Sequence, residues 1–160
     1  MIIILMGVSG SGKTTIGKLL ANDLGWDFYD ADDFHPTQNI AKMSRGLALS
    51  DEDRQPWLQS LQALILDCLK SGKQIVIACS ALKEIYRTSL SVNDNVKFIY
   101  LKGSFEQIKA RLTYRQDHFM PSDLLADQFA TLEEPRDAVL IDISMAPDQI
   151  SKAIRIALNI

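Results

Sequence analysis

The chain has 160 residues, of which 47% are hydrophobic and 23% charged, a composition typical of one globular domain. Its formal net charge is −3 at pH 7, so no basic surplus indicates nucleic acid or an anionic membrane as a partner. No apolar run is long enough to span a bilayer, and the two cysteines, Cys68 and Cys79, lie in apolar stretches that predict buried free thiols. We therefore expect a cytoplasmic protein.

The chain opens with a strand, a glycine-rich loop and a helix. Residues 2–6 form an uninterrupted apolar run, typical of a central parallel strand that is buried on both faces. Residues 15–24 place their apolar side chains on one helical stripe. The segment between them fits the pattern G-x-x-x-x-G-K-[ST] at every fixed position, with Gly7, Val8, Ser9, Gly10, Ser11, Gly12, Lys13 and Thr14.

This glycine loop predicts a binding site for the phosphates of ATP. Glycines let the backbone approach an anion closely, while free N–H groups and the start of the helix point toward it. In loops of this type the lysine, here Lys13, reaches the β- and γ-phosphates, and the hydroxyl, here Thr14, binds Mg²⁺. The alternative is a chance glycine turn, against which the flanking strand and helix argue.

Strand-like and helical segments alternate along the rest of the chain. Further strands are predicted at residues 26–30, 74–79, 96–101 and 138–143. Helices are predicted at residues 57–69, 83–90, 105–114, 122–132 and 147–158. This alternation predicts an α/β fold of the three-layer P-loop NTPase type, with a five-stranded parallel sheet and helices on both faces. No linker divides the chain, so we expect residues 1–160 to form a single domain.

Polar residues after each predicted strand are site candidates, because ligands of parallel sheets bind at the carboxyl ends of the strands. Asp30 and Asp32 follow the second strand, where one carboxylate can hold Mg²⁺ and the other can accept a proton from an attacking hydroxyl. We prefer Asp30 as the acid on the metal side, and a solvated acidic turn is the alternative. His35 lies within reach of this pair and is a candidate substrate contact. Gly103 follows the fourth strand.

A second group of candidates lies on the predicted acceptor side. Residues 40–57 form a polar, turn-rich connection of unusual length that suits a cover over an acceptor pocket. Within it, Arg54 can bind a carboxylate or phosphate, or pair with the neighbouring acids. Lys83 and Arg87 are four residues apart near the start of a helix, where cations oppose the helix dipole unless an anion binds. We interpret both as acceptor-binding residues, with solvated charges as the alternative.

Basic residues also surround the end of the helix at residues 105–114. Arg111, Arg115 and His118 lie in its last turn and in the polar segment that follows. Arginines on a mobile flap can approach a transferring phosphoryl group, but a basic helix end is also what the dipole favours, so both interpretations stay open. Asp142 ends the last predicted strand, and we interpret it as a structural or adenine-loop residue.

Taken together, these patterns resemble the gluconokinases, small P-loop sugar-acid kinases that are similar to shikimate kinase. The resemblance covers nearly the whole chain. Besides the glycine loop, its markers are residues 30–36, 39–43, 51–58, 79–87, 100–103, 118–119 and 128–135. The likeness to shikimate kinase itself stops after the second strand, since that family has a glycine cluster where this chain has Ser80, Ala81, Leu82 and Lys83.

The resemblance implies ATP-dependent phosphorylation of D-gluconate at its 6-hydroxyl, with Mg²⁺ as the metal. It implies that Lys13, Asp32 and Arg111 are catalytic, with Asp32 as the base, and that Thr14 and Asp30 serve the metal. The substrate-binding residues it implies are Asp32, His35, Arg54, Lys83, Arg87 and His118.

The resemblance also implies a lid, an acceptor-binding region and an assembly state. The small lid spans about residues 112–124, and the nucleotide is bound by Arg115 in this lid and by Arg111 directly before it. The acceptor-binding region spans about residues 32–60. A homodimer is implied as well. One departure is Ala48, which stands where many relatives have proline and bears on loop rigidity.

Two other hypotheses stay open. The same nucleotide site could serve another acceptor, such as shikimate or a nucleoside monophosphate. A nucleotide-binding regulator without catalysis belongs to a different class, and the Asp30 and Asp32 pair argues against it because a sensor needs no acceptor-side base.

Overall fold

The computed structural model describes residues 1–114 and 122–160, and its centre is a parallel sheet. The strands are β1 (Ile2–Met6), β2 (Asp27–Asp30), β3 (Ile75–Ala78), β4 (Val96–Lys102) and β5 (Val139–Asp142). Their order across the sheet is β2-β3-β1-β4-β5, and every neighbouring pair is parallel. The predicted five-stranded parallel sheet is therefore confirmed, with strand ends shifted by no more than one residue.

Helices cover both faces of this sheet. They are α1 (Lys13–Leu24), α2 (Thr37–Ser44), α3 (Asp51–Ser71), α4 (Glu84–Leu90), α5 (Phe105–Tyr114), α6 (Ser122–Thr131) and α7 (Pro147–Leu158). A short 3-10 turn, Ala31–Phe34, joins β2 to the segment before α2. Parallel strands need crossover connections, and these helices supply them.

The two layers of helices pack on alternate residues of β1, which is completely buried. Ile2, Ile4 and Met6 belong to the core that includes α3 and α4. Ile3 and Leu5 point to the opposite core, which α1, α5, α6 and α7 complete. Because successive side chains of a strand point to opposite faces, a strand with no polar residue must be covered on both sides.

One helix was missed by the sequence analysis and another starts earlier than predicted. Residues 37–44, taken partly as a turn-rich connection, form α2, whose only buried residue is Asn39. Its apolar residues Ile40 and Met43 are 54% and 42% exposed, so α2 lacks the buried apolar stripe on which helix prediction depends. Helix α3 begins at Asp51 rather than at Trp57.

The early start of α3 has a clear local cause. Ser50 and Asp53 form a capping box, in which each side chain accepts a hydrogen bond from the other residue's backbone N–H. Pro56 lies inside the helix and removes only the bond to the carbonyl group of Glu52, which is exposed to water. The acidic residues Asp51, Glu52 and Asp53 thus form the first turn of the helix.

Two composition-based expectations can be compared with the structure. Cys68 and Cys79 are both buried free thiols, as predicted. Within residues 1–114 and 122–160, no helix is both long and apolar enough to cross a membrane.

Gly103 has a packing role beside the carboxyl end of the sheet. It separates β4 from α5, and a Cβ atom placed on it would lie 2.3 Å from Cδ1 of Ile143 and 3.3 Å from Cδ1 of Ile108. Both isoleucines are fully buried. The missing side chain therefore lets α5 and the turn after β5 approach each other closely.

We predict that Gly103→Ala lowers the free energy of unfolding by about 1–3 kcal/mol, because the new methyl group overpacks the contact with Ile143. Urea denaturation followed by circular dichroism measures this loss. In a double-mutant cycle, Ile143→Val removes Cδ1, the nearer of two clashing atoms, and leaves Cγ1 at 2.8 Å, so it should make the second substitution less costly. Strict additivity of the two losses would contradict the packing explanation.

Candidate active site

The glycine loop joins β1 to α1 and folds as an anion-binding loop. Gly10 and Gly12 have φ values of +83° and +98°, in the left-handed region that side-chain-bearing residues rarely adopt. The loop wraps around the ammonium group of Lys13, whose Nζ donates to the carbonyl oxygens of Gly7 and Val8, both at 3.0 Å. Burial of this ammonium group lowers the pKa of Lys13 to about 8.

Two carboxylates face this lysine from the end of β2. Asp30 accepts a hydrogen bond from Thr14 Oγ1 at 3.5 Å through Oδ2, and from the backbone N–H of Asp32 at 3.0 Å through Oδ1. The negative charges of Asp32 and Asp30 both favour the charged form of Lys13. The sequence-based expectation that the acid pair lies beside the glycine loop is thus met in the geometry.

The environment of Asp32 makes its carboxylate more basic than usual. The residue is exposed on one side, yet protein atoms desolvate its carboxyl group, and this burial is the largest cause of a raised pKa. The nearby charge of Asp30 raises the pKa further, while His35 and Lys13 oppose the shift.

A stacked pair fixes the polar turn after β2. The ring of His35 lies on that of Trp57, with centroids 4.7 Å apart and planes within 9°. Trp57 Nε1 donates to the carbonyl oxygen of Ala31 at 2.7 Å, which anchors the 3-10 turn that carries Asp32. The amide of Asn39 lies 3.3 Å from His35 Nδ1. Trp57 and Asn39 are therefore positioning residues that the sequence analysis did not assign.

The same contacts define the protonation of His35. Burial is the largest cause of its lowered pKa, so the neutral ring is favoured. The Asn39 amide nitrogen can only donate, so Nδ1 of a neutral ring must accept and Nε2 must carry the proton. His35 can thus offer an N–H donor to a polar ligand.

The predicted acceptor cations Arg54 and Lys83 meet around Tyr86 and Asp51. Arg54 Nη1 donates to the Tyr86 hydroxyl at 2.7 Å, and that hydroxyl donates to Asp51. Lys83 Nζ lies 2.9 Å from Oδ1 of Asp51. The hydrogen bonds from Tyr86 and then from Lys83 lower the pKa of Asp51. Two cations from distant segments therefore gather around one carboxylate.

Arg87 is placed differently from Lys83. Its side chain is only 8% exposed, and Nη1 donates to the carbonyl oxygens of Ala81 at 2.8 Å and Leu82 at 3.1 Å. Ala81 has a φ of +44°, so Arg87 supports a strained turn. The structure does not bring Arg87 to the cluster of Asp51, Arg54, Lys83 and Tyr86, and its role in acceptor binding stays a prediction.

Arg111 lies beside the glycine loop on α5. Its Nη1 atom is 3.8 Å from the position that a Cβ atom on Gly12 would occupy, and Nη2 donates to the carbonyl oxygen of Ile143. A guanidinium group here is within reach of a phosphate bound to the loop. Arg115 and His118, together with most of the predicted lid, lie outside the described residues.

Gln128 is a further residue at the loop. It belongs to the segment 128–135 that marks the family resemblance, but the sequence analysis gave it no role. Its amide bonds Ser9, which is 119 positions away in the chain. Asp142, by contrast, accepts a hydrogen bond from the Ser144 N–H at 2.8 Å and so stabilises the turn after β5. This contact fits the structural interpretation of Asp142.

Comparisons with known proteins agree with the geometry. The family model described as "Shikimate kinase" matches residues 9–150. A probable gluconokinase of Rattus norvegicus is 42% identical, and the alignment covers 99% of this chain and 97% of that protein. The thermosensitive gluconokinase of Escherichia coli K12 is 49% identical, covering 88% of this chain and 78% of its own length.

Solved structures show the same pattern. The crystal structure of a gluconokinase from Sinorhizobium meliloti 1021 is 40% identical, with a TM-score of 0.84 and coverage of 98% of this chain and 93% of that one. Shikimate kinase from Aquifex aeolicus has a TM-score of 0.61, with coverage of 99% and 96%, but only 18% identity, so that likeness shows the fold alone.

Proposed function

The chain belongs to the gluconokinase family, and we propose that it transfers the γ-phosphoryl group of ATP to the 6-hydroxyl of D-gluconate. The observation that carries this proposal is the position of Asp30 and Asp32 opposite Lys13 and Thr14. This arrangement puts a basic carboxylate beside a phosphate-binding loop, as transfer to a hydroxyl requires. The relatives' names supply the acceptor.

The glycine loop, Lys13 and Arg111 bind the nucleotide in this proposal. Lys13 now donates to two backbone carbonyl groups, and phosphate oxygens offer stronger, charged acceptors for the same ammonium group. Arg111 approaches the loop from α5 and adds a second cation near the phosphates. Arg115 and His118 stay predictions for the same side of the site.

Thr14 and Asp30 fit a Mg²⁺ ion that is held largely by the substrate. Their side-chain oxygens lie 3.5 Å apart and are hard ligands of the type Mg²⁺ prefers. Among the described residues, no group of three His, Cys, Asp or Glu side chains could hold a metal alone. This suits Mg²⁺, which keeps waters and phosphate oxygens as ligands and supplies charge neutralisation during transfer.

Asp32 accepts the proton of the attacking hydroxyl in this proposal. A general base works best when its pKa lies near the working pH, and the raised pKa of Asp32 moves it in that direction. Neutral His35 can donate from Nε2 to a hydroxyl of the polyol. Arg54 and Lys83 provide the positive charge for the carboxylate of gluconate, in exchange for their present contacts to Tyr86 and Asp51.

The remaining features of the proposal are assembly, lid and compartment. The proposal includes a cytoplasmic homodimer without nucleic-acid or membrane partners. Each chain forms a single domain with a lid of about residues 112–124. Sedimentation of the purified protein measures the assembly state directly.

We predict that a coupled assay of ADP release shows turnover with D-gluconate and much less with shikimate or a nucleoside monophosphate. Product analysis by ³¹P NMR should give a phosphate monoester on the terminal carbon. Turnover with shikimate but not with gluconate would refute the proposed acceptor. ATP binding without any acceptor-dependent turnover would refute the proposed catalysis.

We predict that Asp32→Asn lowers kcat by about 10²–10⁴-fold while ATP binding persists, because the amide keeps the shape but cannot take up the proton. Asp33→Asn is the matched control, since Asp33 is an exposed neighbour in the same turn and should retain activity. Calorimetry with a non-hydrolysable ATP analogue measures binding. Turnover at the wild-type rate in Asp32→Asn would show that another group is the base.

We predict that ATP binding takes up a proton above pH 8. The pKa of Lys13 is about 8 in the free protein, and bound phosphate raises it, so above that pH the lysine must gain a proton on binding. Affinity should then fall with rising pH by up to about tenfold per unit. Calorimetry at about pH 9 in buffers of different ionisation enthalpy counts the protons. Lys13→Arg keeps the charge at this pH and should show no uptake; uptake equal to wild type would contradict the assignment.

A further inference from the structure

Gln128 connects helix α6 to the glycine loop through both ends of its side-chain amide. The backbone N–H of Ser9 donates to Gln128 Oε1 at 2.7 Å. Gln128 Nε2 donates in turn to Ser9 Oγ at 3.0 Å. Both bonds go to one residue of the loop, so the amide fixes the backbone and the side chain of Ser9 together.

The direction of these two bonds follows from their chemistry. A backbone N–H can only donate, so the oxygen of the Gln128 amide must face it. The nitrogen then faces Ser9 Oγ and can only donate, which makes the serine hydroxyl an acceptor in this contact. The hydroxyl hydrogen of Ser9 must consequently point elsewhere, and it stays available to another acceptor.

Helix α6 is packed firmly enough to aim this side chain. Leu125 is 1% exposed in the core, and Phe129 contacts Phe105 of α5 edge to face at 5.7 Å between ring centroids. Gln128 lies between these two anchoring residues in sequence. The packing of Leu125 and Phe129 thus holds α6 in place and directs the Gln128 amide at the loop.

We propose that Gln128 is a positioning residue for nucleotide binding, which holds Ser9 in the loop and keeps the hydroxyl hydrogen of Ser9 free for a phosphate oxygen. Ser9 is the third residue of the eight-residue glycine loop, Gly7 to Thr14, so its hydroxyl is carried by the loop that binds phosphate. The inference rests on the ATP-binding part of the proposed function and not on the identity of the acceptor.

The first test is Gln128→Leu, which removes both hydrogen bonds at similar volume. We expect the Kd of a non-hydrolysable ATP analogue and the KM for ATP to rise by about tenfold, as expected for two lost bonds near a charged ligand. The KM for gluconate should change little. Asp127→Asn, an exposed neighbour on the same helix, is the matched control and should bind the analogue like the wild type. Unchanged analogue binding in Gln128→Leu would overturn the proposal.

The second test separates hydroxyl orientation from simple support. In Gln128→Glu the carboxylate accepts from both the Ser9 N–H and the Ser9 hydroxyl, so the hydroxyl turns inward and analogue binding should weaken. In a Ser9→Ala background no hydroxyl can turn. The double variant should therefore bind the analogue about as well as the single variant Ser9→Ala. If Gln128→Glu alone binds the analogue like the wild type, Gln128 acts only as an acceptor for the Ser9 N–H group. That result would overturn the claim that Gln128 orients the Ser9 hydroxyl.

A full loss that persists in the Ser9→Ala background would attribute the effect to repulsion between the new carboxylate and phosphate, and would equally overturn that claim. The deciding measurements, the Kd values of the nucleotide analogue, are made without acceptor. A failure of the gluconate assay would therefore leave them interpretable, and the two proposals can fail separately.

Discussion

The site depends on one desolvated charge, the ammonium group of Lys13 held within its own loop. This group donates to the neutral carbonyl oxygens of Gly7 and Val8, and burial lowers its pKa to about 8. Such a group gains more from an anion than an exposed lysine does, because water no longer screens the interaction. The acid pair of Asp30 and Asp32 keeps it charged near neutral pH.

The acceptor side uses the opposite arrangement, in which cations gather around a carboxylate that the chain supplies itself. Arg54 reaches Asp51 through the hydroxyl of Tyr86, and Lys83 binds Asp51 directly. Exposed ion pairs of this kind contribute little to stability, since water and salt screen them. In the proposed function their value lies in holding the two cations close together, so that both can exchange partners with an anionic acceptor at small cost.

Much of this organisation could be predicted from the sequence, and the exceptions have physical reasons. The fully buried strand β1, the glycine loop and the acids after β2 are local patterns, and each was found where the sequence places it. Helix α2 was missed because it does not pack an apolar face on the core. Its apolar residues are exposed, so its sequence lacks the apolar stripe by which helices are recognised. The start of α3 was placed at Trp57 and not at Asp51, because residues 51–56 contain no apolar side chain besides Pro56 and so add nothing to the helical apolar pattern.

The contacts that sequence reasoning could not find join residues that are far apart in the chain. Gln128 and Ser9 are separated by 119 positions, and Trp57 reaches the carbonyl group of Ala31 from 26 positions away. Each of these side chains has an ordinary place in its own helix. Only the packing of that helix on the sheet shows that the polar atom is directed at the site. Arg87 is the converse case, since its spacing from Lys83 suggested a shared role that its buried contacts do not display.

In the proposed function, the division of the core gives the nucleotide and the acceptor separate supports. Lys13, Arg111 and Gln128 come from α1, α5 and α6, which pack on one face of the sheet. Arg54 and Lys83 come from α3 and the start of α4, whose apolar residues belong to the other face. Asp30 and Asp32 lie at the carboxyl edge of the sheet, at the end of β2 and in the turn after it.

A fold arranged in this way can change its acceptor by substitutions on one face while the nucleotide side stays intact. This chain and the shikimate kinase of Aquifex aeolicus share the fold at only 18% identity. If the proposed function holds, the determinants of acceptor choice lie in α3, α4 and the turn before α2, and not in the glycine loop.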